Sequence, residues 1–135
     1  MESRIQQALD HHAAGYNCCQ SVVCTYCDLF GIDEKTAFIL GEGFGAGMAN
    51  MENTCGTISG MVLLAGMKNS CGDTATCNTK TSTYTIVREL LQKFKDKNTT
   101  VICRELKGLD TGKILRPCRG CIEDSCSIVE EYLLK

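Results

Sequence analysis

Apolar residues recur every three or four positions along almost the whole chain, the spacing of one face of an α-helix. Over residues 3–14 that face is Ile5, Ala8, Leu9, His12 and Ala13, with Gly15 as the stop. Asn17 is a good N-cap, and Gln20 three residues on matches a capping box. The helix it opens carries Val22, Val23, Tyr26, Leu29 and Phe30 to a C-cap glycine at Gly31. Asp33 caps a third segment, Glu34 to about Leu40, and Thr54 caps an apolar helix from Gly56 to Met67. Residues 69–78 read as a loop. A long amphipathic helix then runs from about Thr81 to Asp96, with Ile86, Val87, Leu90, Leu91 and Phe94 inward. Thr100 caps a short helix, Val101 to Lys107, stopped by Gly108. After Pro117 a last helix spans about Cys118 to Leu134, with Ile122, Ile128, Val129, Tyr132 and Leu133 apolar. No segment alternates as a strand would. The pattern predicts an all-α fold, a single-domain helical bundle of about five or six helices over residues 1–135.

One stretch breaks the helical rhythm. Gly41, Gly43, Gly45 and Gly47 fall at alternate positions, which reads as a Gly-rich loop or as backbone in close packing. The run lacks the Gly-Lys-Ser/Thr ending and the preceding strand of a phosphate-binding loop. A chain of 135 residues can bury a core without disulfide staples. Its net charge of −2 offers no field for nucleic acid or an anionic membrane. The longest apolar run, Met61 to Met67, is far shorter than the ~20 residues of a bilayer span. The first residues lack a basic stretch leading into an apolar one, so the expectation is a cytoplasmic protein.

The unusual feature is 11 cysteines, an odd number that cannot pair completely within one chain. Without a secretory context, clustered cysteines point to metal binding or redox work. Cys18 follows the cap Asn17, Cys55 follows Thr54, Cys103 is third in the helix after Thr100, and Cys118 follows Pro117. Each sits in the first turn of a predicted helix. Unpaired N–H groups and the helix dipole there stabilise a thiolate, lowering its pKa from ~8.5. Cys19, Cys27 and Cys126 fit core packing, while Cys24 falls on the polar flank with Gln20 and Asp28. Cys71 and Cys77 share a polar loop and could form a labile pair. Of two Cys-x-x-Cys pairs, Cys24/Cys27 lies mid-helix, where the spacing is ordinary. Cys118/Cys121 opens a helix beside Arg116 and Arg119, which favour a thiolate. His11 and His12 read as one solvated and one packed helix residue.

Gly15-Tyr-Asn-Cys-Cys-Gln-Ser-Val22, Gly43-Phe-Gly-Ala-Gly-Met48, Cys55-Gly-Thr-Ile-Ser-Gly60 and Cys103-Arg-Glu-Leu-Lys-Gly108, followed by a cysteine ahead of a helix, resemble the C_GCAxxG_C_C family. The resemblance covers about residues 13–134 and implies a small redox-active protein with four hallmark cysteines. Matched position by position these are Cys18, Cys55, Cys103 and Cys118, with Cys121 competing for the fourth place. Thr57 stands where the motif carries alanine, a change expected to preserve packing.

Three activities remain open on these residues. Four thiolates are a complete ligand set for an iron–sulfur cluster or for tetrahedral zinc, drawn from Cys18, Cys55, Cys103 and Cys118 or Cys121. Gly45, Gly47 and Gly56 would then let backbone N–H groups approach the sulfurs and the cofactor. Alternatively a pair such as Cys18/Cys55 or Cys118/Cys121 cycles between thiol and disulfide with a redox partner protein. The third reading is a structural zinc or metal-handling interaction module without catalysis. All three require sulfurs distant in sequence to meet at one centre.

Overall fold

The computed structural model describes all 135 residues. Six helices of eight residues or more form the bundle: α1 (Ile5–Ala13), α2 (Cys18–Tyr26), α3 (Glu34–Gly41), α5 (Gly56–Asn69), α6 (Lys80–Asn98) and α8 (Cys118–Ile128). Between them lie two single turns, α4 (Gly45–Met48) and α7 (Cys103–Leu106). The all-α expectation holds, and the one strand-like feature is an isolated antiparallel bridge between Thr54 and Ile102.

The centre of the molecule is the crossing of α2 and α5, with α1 and α8 against α2 and α6 against α5. Val22, Val23 and Tyr26 of α2 meet Ile58, Met61 and Leu64 of α5, all fully buried. Ile122 and Val129 close the core from the C-terminal helix. Burying side chains of this size stabilises by about 1.5–3 kcal/mol each relative to leaving them in water. Gly60 sets the approach of the two central helices. A β-carbon there would stand 2.9 Å from Val22 Cβ and 3.0 Å from the Cys19 carbonyl oxygen.

The helix starts follow the capping residues where those are local. Asn17 Oδ1 accepts the Gln20 N–H at 2.8 Å and Gln20 Oε1 accepts the Asn17 N–H at 3.0 Å, the full capping box. Asp33 accepts the Thr36 N–H at 3.1 Å. Gly31 ends the α2 region in a left-handed conformation, φ 77°, after the helix has tightened into a 3₁₀ turn over Cys27–Phe30. Three boundaries differ from expectation. Thr54 is not a cap: it is drawn into the bridge with Ile102, and Cys55 becomes the N-cap of α5. The helix expected from Val101 starts at Cys103, because the Cys55 N–H bonds the Val101 carbonyl at 2.8 Å and Ile102, in the bridge, is extended. The last helix widens into a π turn over Val129–Leu133.

Some side chains also sit differently. Cys24 is buried rather than exposed, because α3 covers that flank of α2 and the Cys24 thiol reaches the Glu34 carbonyl at 3.8 Å. Leu29 and Tyr132 are exposed, Tyr132 with the Lys93 Nζ 3.8 Å from its ring centre. No helix is long and apolar enough to cross a membrane.

A candidate thiol site between five chain segments

The bridge between Thr54 and Ile102 is the local event that assembles the site. It lays residues 53–55 beside residues 101–103, with Cys55 N–H on the Val101 carbonyl and Cys103 N–H on the Asn53 carbonyl at 2.9 Å. Cys55 at the start of α5 and Cys103 at the start of α7 therefore face the same space. The starts of α2 and α8 close it from the other sides. The result is a cavity of about 190 Å³ lined by Cys18, Cys55, Cys103, Cys118 and Cys121. Four of these thiols are buried and Cys118 is partly exposed. Lys107, Arg116 and His12 complete the polar wall.

The glycines singled out in the sequence make room for the thiols and their supports. A β-carbon on Gly56 would overlap Cys18 Sγ and lie 2.8 Å from the Phe44 carbonyl oxygen. One on Gly47 would lie 2.6 Å from Cys103 Cβ, and one on Gly45 would lie 2.6 Å from the amide of Asn17, the α2 cap. Within the same Gly-rich segment, the Ala46 N–H is directed at Cys18 and lowers the cost of charging that sulfur.

Helix-start placement alone does not make a thiolate here. Burial pushes the Cys18 thiol up, with Cys55 and Cys118 adding to it, and raises Cys103 to about 11. Cys55 goes the other way, lowered to about 6. The largest cause is the neighbouring Cys121 thiol, joined by the Thr57 hydroxyl 3.2 Å away, and together they outweigh the opposing effect of burial. Cys121, whose thiol reaches the Arg116 carbonyl at 3.7 Å, is raised by its Cys55 neighbour and by burial.

The cationic wall differs from the one read in the sequence. Arg116 lies on the cavity but is bound to Asp124 at 3.1 Å, and Arg119 is not among the lining residues. Lys107, with no counterpart among the sequence expectations, lines the cavity beside Cys118 and Cys103. Burial lowers its pKa, yet Cys118 and Cys103 outweigh that and the net shift is upward. Its signal was available: it lies four residues after Cys103, on the same helical face. His12 lines the cavity, whereas His11 stacks on Tyr16 at 4.4 Å and faces Glu34.

Elsewhere, Cys71 and Cys77 are joined as a disulfide with a Cα–Cα distance of 6.4 Å. Cys19, Cys27 and Cys126 are buried core residues. The five cavity thiols share one space, and no three His, Cys, Asp or Glu side chains are arranged as a group that could hold a metal ion.

A family model described as "Putative redox-active protein (C_GCAxxG_C_C)" matches residues 16–132, spanning every cysteine of the cavity. Searches of curated proteins and of solved structures found no match.

Proposed function

The chain belongs to the C_GCAxxG_C_C family, and on that premise we propose that it performs thiol–disulfide chemistry in the cavity, with Cys55 as the attacking thiolate and Cys121 as its resolving partner. The observation that carries this reading is the asymmetric pair itself. Both thiols line the cavity and their ionisation is pushed in opposite directions, Cys55 down and Cys121 up, with the Thr57 hydroxyl 3.2 Å from the Cys55 sulfur. A thiolate is the attacking form, and a neighbouring thiol that can follow it makes exchange a two-step cycle.

In the first step Cys55 S⁻ attacks one sulfur of a disulfide, breaking that bond and expelling one half, which takes up a proton. In the second, the Cys121 sulfur loses its proton and attacks Cys55. The remaining half leaves as a thiol and a Cys55–Cys121 disulfide is formed. Two electrons pass from the protein to the substrate, with one proton from Cys121 and the second taken from water. Because Cys55 is only 6% exposed, the substrate is a low-molecular-weight disulfide small enough to enter the cavity. Cys118, partly exposed beside Lys107, stands where such a molecule would enter.

Alkylation against pH tests the reading. A thiol whose pKa is lowered stays ionised as pH falls, so one cysteine should react with iodoacetamide at pH 6.5 at least tenfold faster than a model thiol. Its rate should halve near pH 6, and Cys55→Ser should abolish it. Mild oxidation should yield a Cys55–Cys121 peptide by mass spectrometry. Stoichiometric iron with acid-labile sulfide, or stoichiometric zinc, in anaerobically purified protein would overturn the dithiol reading in favour of a metal centre.

A further inference from the structure

Thr57 occupies the one small-residue position at which the chain departs from the motif it resembles, and it stands on the cavity wall. Its hydroxyl lies 3.2 Å from Cys55 Sγ. From α8, 68 residues further along the chain, Ser125 Oγ donates to the Thr57 hydroxyl at 2.9 Å. Both side chains are fully buried. A hydroxyl has a single proton to donate. Ser125 places its proton on Thr57 Oγ1, so the Thr57 proton points to the Cys55 sulfur, and the donors run in one direction from Ser125 through Thr57 to Cys55.

We propose that Thr57 and Ser125 form a hydroxyl relay that positions Cys55 and favours its reduced state over its disulfide. The proposal rests on the dithiol reading above. A hydrogen bond to a charged sulfur is stronger than one to a neutral disulfide sulfur, so the relay stabilises one side of the redox equilibrium more than the other. It also ties the start of α5 to the helix that carries Cys121. Filling space requires none of this: a valine at position 57 has nearly the same shape, and an alanine would serve as it does in the motif. Thr57 and Ser125 act through Cys55, as positioning residues.

The test compares the full-length protein with Thr57→Val, Thr57→Ser and Ser125→Ala, with helix content followed by circular dichroism. The fraction of Cys55–Cys121 disulfide is measured in graded glutathione redox buffers. Thr57→Val should move the equilibrium about tenfold toward the disulfide, lowering the midpoint by ~30 mV. Thr57→Ser, which keeps the hydroxyl, should stay within about twofold of the parent. Ser125→Ala should shift about threefold in the same direction as Thr57→Val, and it carries the test alone if the valine variant does not fold. Thr57→Val or Ser125→Ala titrating with the parent, or Thr57→Ser titrating with Thr57→Val, would overturn the relay and leave the dithiol reading standing. A parent protein that forms no Cys55–Cys121 disulfide at any buffer ratio would sink both.

Discussion

At the scale of single residues, Cys55 shows why chemical type and helix position together do not set a thiol's ionisation. Cys18, Cys103 and Cys55 all stand at helix starts, yet burial raises the first two and only Cys55 is lowered. The difference is what surrounds the sulfur. Cys55 has the Thr57 hydroxyl 3.2 Å from its sulfur and the Cys121 thiol beside it, which together outweigh its burial. Gly56, next in the chain, has no β-carbon because Cys18 Sγ fills that space. Gly56→Ala must displace either the sulfur or the Phe44 carbonyl. We expect it to lose about 1–3 kcal/mol of stability in urea denaturation and to change the alkylation rate of Cys18. Cys24 illustrates the opposite error of scale. Its neighbours on the helix wheel, Gln20 and Asp28, suggested a wet flank, but Gln20 is itself buried, bonded through Nε2 to the Phe38 carbonyl at 3.0 Å beneath α3.

At the scale of elements, the Gly-rich segment is the least regular part of the fold. Ala46, Gly47, Met48 and Ala49 all have positive φ, 52°, 56°, 61° and 76°, making a short left-handed turn. It is held by Ala49 N–H on the Gly45 carbonyl at 2.8 Å and Met51 N–H on the Ala46 carbonyl at 2.7 Å. Left-handed backbone costs about 1–2 kcal/mol at each residue with a β-carbon. Ala46 and Gly47 are the parts that touch the site, one directed at Cys18 and the other against Cys103. Replacing Ala46 by glycine should therefore raise the stability measured by urea denaturation, by about 0.5–1 kcal/mol after the entropy of the more flexible unfolded chain is subtracted. Gly47→Ala should lower it by about 2 kcal/mol, because both the strain and the clash with Cys103 are added. Equal effects of the same sign from the two changes would refute this account. Alternate glycines marked the segment as special in the sequence. Its handedness was not legible there, because non-glycine residues adopt it only when surrounding contacts impose it.

Across the whole molecule, the two sets of reactive sulfurs lie at opposite ends of α5. Cys55 caps its first turn, and the Cys71–Cys77 disulfide closes the loop just beyond its last, about 21 Å away along a 14-residue helix. Breaking that disulfide with a Cys71→Ser/Cys77→Ser double variant should cost about 2 kcal/mol, the entropy of a short closed loop, and leave the Cys55 alkylation profile unchanged. A shifted profile would mean that the loop and the cavity are coupled.

The periodicity of apolar positions, the capping residues Asn17 and Asp33 and the stop at Gly31 determined the helices from the sequence alone, because each acts within one or two turns of chain. The same local signals placed four cysteines at helix starts. Only the tertiary structure decided which thiol is pushed toward ionisation, that Cys121 shares its cavity, that Lys107 rather than Arg119 lines the space, and that Thr57 and Ser125 meet. Those outcomes depend on burial and on hydrogen bonds between segments tens of residues apart, and a linear pattern carries no information about which distant groups will exclude water together.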